Sequence, residues 1–139
     1  MKPNDITVVM TWYGQQDHLL NQMIFYAEMA EKYHYRPKVI VINDANGPER
    51  TYFHECINAY KGVFDVQGVD VKGDIGFNSH TCRNLGVKLA KTDWVWLIDV
   101  DCFEQEEIYH YLRFEKVLDE DWFYLPKADM DYPENMSDY

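Results

Sequence analysis

The sequence predicts an α/β domain: a mostly parallel sheet with helices on both faces. Three observations carry that expectation. Short apolar runs alternate with longer stretches of helical rhythm, in the order β-α-β-α-β-α-β-α-β. Two of the runs, Val39-Ile40-Val41-Ile42 and Trp94-Val95-Trp96-Leu97-Ile98, are apolar throughout, as in strands covered on both sides. Residues that carry chemistry gather where strands run out, which is where ligands bind in such sheets.

Ile6-Thr7-Val8-Val9-Met10-Thr11-Trp12 is rich in β-branched and aromatic residues and reads as the first strand. From Gln16 to Tyr33, Leu19, Leu20, Met23, Ile24, Ala27 and Ala30 recur at the spacing of an amphipathic helix, and Pro37 stops any continuation. Lys38 to Asn43 is the second strand. Asn46-Gly47-Pro48-Glu49 gives a turn and a helix start, with Pro48 near the first helical position. Phe53, Ile57 and Tyr60 share one face of that helix, and Gly62 is its natural C-cap. Val63 to Val71 is a weaker strand, interrupted by Gly68. Gly73 to Asn78 is a loop, and Ser79 caps a helix running to Lys91 with Leu85, Leu89 and Ala90 inward. Trp94 to Ile98 is a clear strand. A helix is expected from Glu104 to Leu118, with Glu104, Glu106 and Glu107 at the positive end of its dipole. Asp121 to Leu125 reads as a last strand. The chain is expected to be one domain, 1–139, in which 126–139, with four acids and two prolines, forms an acidic surface tail.

A chain of 139 residues buries a true core, roughly 68–70% of its unfolded surface. Aromatic content of 16% excludes disorder as the main state. The net charge of −11 argues against a nucleic-acid backbone or an anionic membrane as partner and suits a protein that binds cations, or binds anions through a cation. No apolar run approaches the ~20 residues of a membrane helix, and the N-terminus does not read as a signal peptide. Cys56, Cys82 and Cys102 are odd in number and widely spaced, as expected of reduced thiols in a cytoplasmic protein.

Asp99-Val100-Asp101 is the sharpest chemical feature. Residues two apart in an extended chain point the same way, so both carboxylates can converge on one point. Two close carboxylates repel unless a cation joins them, and hard oxygen ligands suit Mg²⁺ or Mn²⁺. The other reading is a solvated turn; the apolar run before it favours a site. Asp44 closes the second strand, where a carboxylate can bond ribose or a base, or can make an Asx-turn toward Pro48. Thr11-Trp12-Tyr13-Gly14 closes the first strand with aromatics that could stack on a base or pack the core. Between Gly73 and Gly86 a loop and helix start carry one cation, Arg83, suited to phosphate or to a surface ion pair. His18, His34, His54 and His110 read as surface or half-buried residues. There is no Walker A, G-x-S-x-G or G-x-G-x-x-G motif after the first strand.

Taken in order, these segments resemble the nucleotide-binding half of GT-A glycosyltransferases, family 2 in particular. Thr11-Trp12-Tyr13 is similar to the family's Thr/Pro-aromatic end of the first strand, with Gly14 where Asn is usual. Asn43-Asp44-Ala45-Asn46 resembles a double-acid DDGS segment in which only the second acid survives. Asp74-Ile75-Gly76 followed by Cys82-Arg83-Asn84-Leu85-Gly86 resembles the N-x-G and A-R-N-x-G helix entry. Leu97-Ile98-Asp99-Val100-Asp101 resembles the strand that delivers the D-x-D. The resemblance implies that Thr11, Trp12 and Tyr13 frame the base and that Asp44 bonds base or ribose. It implies that Gly76, Asn78 and Arg83 lie near the ribose–diphosphate path. Asp99 would touch the ribose or a metal-bound water, and Asp101 would ligate the metal. It further implies a UDP-sugar donor held with Mn²⁺ or Mg²⁺ and transfer or hydrolysis of its sugar.

Only 38 residues follow Asp101, against a longer acceptor-binding half in the family, so no catalytic base is identified. Asp129, Asp131 and Glu134 are the only late candidates. The expectation therefore includes a non-catalytic donor-binding module, or the donor half of a two-chain enzyme, with a homo-oligomer or partner chain supplying the acceptor site. A haloacid-dehalogenase-like phosphatase also uses an aspartate pair after an apolar strand. Its pair opens the chain and needs later Lys and acidic motifs, which this sequence lacks room for.

Overall fold

The computed structural model describes residues 2–45, 48–71 and 79–124, Ser79 by its backbone alone. Four strands, β1 (Ile6–Trp12), β2 (Lys38–Asn43), β3 (Asp65–Asp70) and β4 (Trp94–Leu97), form one sheet in the order β3-β2-β1-β4. Every pairing is parallel. Helices α1 (Gln16–Tyr33), α2 (Glu49–Tyr60), α3 (Ser79–Leu89) and α4 (Glu106–His110) connect and follow the strands, and α4 runs on into a π-helical turn, Tyr111–Glu115.

Alternation along the strands sorts their side chains between two cores. Val8, Met10 and Trp12 of β1 join Val39 and Val41 of β2 under α1 and α2. Val9 joins Ile40, Ile42 and Cys82 under α3. All seven residues of β1 are buried, because this strand is central and covered on both faces. The chain thus has helices on both faces of a parallel sheet, as the alternation of elements predicts. Strand order reverses between β1 and β4, which opens a crevice at their carboxyl ends.

The departures are local and each has a physical reason. Gly68 does not interrupt β3: the ladder with β2 is continuous from Asp65 to Asp70. Glycine is needed there because a Cβ would lie 2.9 Å from the Phe53 ring. Gly62 is not a left-handed C-cap; the chain leaves α2 through tight bonds from the Val63 and Phe64 amides to the Tyr60 carbonyl. The left-handed cap belongs to α1, at His34 (φ 50°), three residues before Pro37. The helix expected over 104–118 is shorter, because Glu104 is not on an exposed first turn. It is buried and paired with Arg113 of the π-helical turn at 2.6 Å. Asn4 then ends that turn by donating to the carbonyls of Leu112 and Lys116, at 2.7 and 2.6 Å. Residues 121–124 form no strand; Trp122 closes a turn onto Asp119, and Tyr124 packs edge-on against Trp94. Leu125 and the acidic tail lie outside the described residues. Among the described residues no helix is long and apolar enough to cross a membrane.

Candidate functional site

The crevice at the carboxyl ends of β1 and β4 is a cleft of about 360 Å³, lined by Thr11, Tyr13, Gln15, His18, Arg83, Asp99, Val100 and Asp101. β1 delivers Thr11 and Tyr13. Parity places Thr11 on the α3 side with Val9. Its hydroxyl is buried and has no hydrogen-bond partner among the described residues. Trp12 has the opposite parity. It is fully buried, stacked on Phe53 at 5.4 Å, and its indole N–H donates to the Gln15 carbonyl at 2.6 Å. Trp12 therefore offers no face to a base, contrary to the expectation for Thr11-Trp12-Tyr13 as a unit. Gly14 follows with φ +108°, close to Glu49 and Ala45, a backbone state that side chains rarely adopt.

The acid pair sits on a turn, not on extended chain. β4 ends at Leu97, and the Cys102 amide closes back on the Asp99 carbonyl at 2.9 Å. Val100 is buried between two exposed acids and anchors the turn. The carboxylates converge for this reason rather than through strand alternation. Asp99, Asp101 and Cys102 offer ligand atoms that all lie within 4.8 Å of one another. Two exposed carboxylates at that spacing fit a hard divalent cation that keeps part of its hydration shell. Cys102 is exposed; burial of its sulfur, then the neighbouring Asp101 and Asp99, hold its thiol above the usual range.

Support for this turn comes from residues that the motifs do not include. Gln22 of α1 is fully buried, and its amide donates to the carbonyls of Val100 and Cys102 at 3.0 and 2.6 Å. Just beyond, Glu104 accepts from Arg113 and from the Tyr26 hydroxyl (3.3 Å). Burial and then the Glu104 charge push the Tyr26 hydroxyl well above its usual range.

Arg83 reaches the cleft from α3, with Nη2 2.5 Å from Asp99 Oδ1. Its helix can come this close because Gly86 lies against β1, where a Cβ would collide with the Val9 side chain. Asp44 follows β2, its amide bonded to the Trp12 carbonyl at 2.9 Å. It is half-buried near Cys82, whose thiol is pushed up to about 11, by burial first and then by the Asp44 charge. Asp44 thus flanks the cleft on its α3 side without lining it. Asn43 makes an Asx-turn here, its Oδ1 accepting from the Ala45 amide at 2.9 Å; the turn expected of Asp44 toward Pro48 falls on residues 46 and 47, outside the described residues. Gly76 and Asn78 lie outside the described residues. Gln15 and His18, which carry no motif, also line the cleft; their place just after the first strand's end is the signal that could have found them.

No protein-family profile matches the chain. Over 71 residues, 51% of this chain, it is 35% identical to a hyaluronan synthase of Pasteurella multocida, of which that stretch is 7%. Among solved structures it is similar to S. aureus TarS 1–349, with a TM-score of 0.52 and 18% identity, over 73% of this chain and 28% of that one. It is also similar to the mannosyltransferase PcManGT of Pyrobaculum calidifontis in complex with GDP-Man and Mn²⁺, with a TM-score of 0.54 and 15% identity over the same shares. The fold is that of GT-A-type glycosyltransferases, and the chain spans little more than a quarter of the length of these two structures.

Proposed function

We propose that this GT-A-like domain binds a UDP-sugar through a divalent cation, Mn²⁺ or Mg²⁺, in the β1/β4 cleft, and that it supports transfer or hydrolysis of the sugar. The observation that carries this reading is the meeting of Asp99 and Asp101 at the cleft that also holds Thr11, Tyr13 and Arg83. Asp101, with Asp99, holds the metal. Tyr13 stacks on the base and the buried Thr11 hydroxyl bonds its edge, while Asp44 reaches the base or ribose from the end of β2. Arg83, now paired with Asp99, lies within reach of a phosphate. Gly76 and Asn78 belong to the same reading on the resemblance alone. A bound cation would neutralise the diphosphate and stabilise it as it departs. A chain of net charge −11 needs such an ion to hold a polyanion.

A second reading is that the domain binds the donor without turning it over, since the cleft's lining brings together donor-side residues. No residue is assigned as catalytic base. Free thiols at Cys56, Cys82 and Cys102 suit a cytoplasmic setting.

The test is a thermal-shift and calorimetric titration with UDP and UDP-sugars, with and without Mn²⁺. Asp101→Ala is expected to lose metal-dependent UDP binding while its circular dichroism stays that of the parent. UDP affinity that still rises with Mn²⁺ in this variant counts against the assignment. Release of UDP or free sugar separates an enzyme from a binding module.

A further inference from the structure

The carboxyl ends of β2 and β3 carry a polar relay in which only Asn43 belongs to a motif. Asn43 and Asp70 are register partners on the last rung of the parallel ladder. Asn43 is fully buried, and its Nδ2 donates to Asp70 Oδ1 at 2.8 Å. The other carboxylate oxygen, Oδ2, lies 2.7 Å from His54 Nε2 of α2, so the ring N–H donates to it. Arg50, one turn earlier in α2, stands 3.8 Å from Oδ1. On its other side Asn43 accepts from the Ala45 amide at 2.9 Å, closing a turn around Asp44. The Asp44 amide is bonded to β1 at Trp12, and the Asn43 carbonyl accepts from the Val71 amide at 3.0 Å.

We infer that Asp70, held by His54, is a positioning residue for nucleotide binding: through Asn43 it sets the backbone turn that presents Asp44 to the ligand. The argument is one of donors and acceptors. An Asn side chain has one acceptor and one donor end, and a free amide can turn either way. Here the carboxylate of Asp70 accepts only, so it fixes which end faces it and leaves Oδ1 for the Ala45 amide. His54 in turn holds the carboxylate from α2. The relay lies on the α2 side of the sheet and Asp44 on the α3 side, so the two never need to touch for one to set the other. An acid at 43 would face the Asp70 carboxylate with like charge.

This rests on the reading of Asp44 as a nucleotide contact, and the experiment separates the two. UDP and Mn²⁺ are titrated by calorimetry into the parent, Asn43→Asp, Asp70→Ala and the exchanged pair Asn43→Asp/Asp70→Asn, with melting temperature recorded for each. Asp70→Asn alone, which keeps size and shape, replaces Asp70→Ala if that variant does not fold. The single variants are expected to weaken UDP binding about tenfold, the scale of one lost charge-assisted hydrogen bond, and to leave binding of Mn²⁺ alone unchanged. The exchanged pair restores one donor and one acceptor across the rung and is expected to recover most of the loss. Single variants that lower the melting temperature but bind UDP like the parent overturn the inference, as does an exchanged pair no better than Asn43→Asp. A parent that binds no UDP overturns the donor reading itself, before any variant is made.

Discussion

At the scale of a single residue, the proposed site carries a cost to stability. Among the described residues the Thr11 hydroxyl is buried without a partner, which costs the fold about 1 kcal/mol or more. Thr11→Val keeps the shape and removes the cost. It is expected to raise the melting temperature or leave it unchanged while weakening UDP binding; a fall in stability with unchanged affinity would show that the hydroxyl has a structural partner. The same position shows what the sequence could tell. Thr11 and Trp12 both close a strand, and chemistry alone made both candidates. Parity separates them: Trp12 shares its side with Val8 and Met10 and goes into the core. The acid pair was legible because an apolar strand leads straight to two carboxylates. Gln22 was not, since the carbonyls that it holds lie 78 and 80 residues away.

At the scale of elements, α3 is placed by a missing side chain. Gly86→Ala would gain helix propensity, but the new methyl meets Val9. The expected net effect is a loss of about 1–3 kcal/mol in denaturant unfolding, because overpacking a central strand outweighs the propensity gain. Arg83 would shift with the helix, so UDP affinity is expected to fall as well; a variant as stable as the parent would mean that α3 can move away freely. β1, α1 and β2 were legible to the residue, since their periods are strong and their neighbours ordinary. The helix expected from Glu104 was not. Its charges read as an exposed first turn, whereas Glu104 is paired inside the protein with an arginine nine residues on. Burial of Arg113 alone would lower its pKa, but the Glu104 charge and hydrogen bond outweigh this and raise it, so Arg113 stays charged.

Over the whole molecule, charge and strand order set the behaviour. Acid titration is expected to show one end of the sheet directly. Burial alone would raise the Asp70 carboxyl, but hydrogen bonds from Asn43 and His54, with the charges of His54 and Arg50, bring it below its usual value. Glu106 is lowered too, through its bond from Lys32. A lowered carboxyl adds stability that is fully present above the unfolded value of about 3.9 for Asp and is lost as pH falls through the folded one. The parent is therefore expected to lose stability below pH ~4 more steeply than Asp70→Asn, in denaturant melts run across that range. An identical acid limb in the two proteins would remove Asp70 from the account. The order β3-β2-β1-β4 has a kinetic consequence. β1, β2 and β3 are consecutive neighbours and can zip locally, whereas β4 must close a loop of more than eighty residues to reach β1. The two aspartates meet Thr11 only after that closure, so a ligand seated in the cleft would hold shut a seam that joins distant parts of the chain.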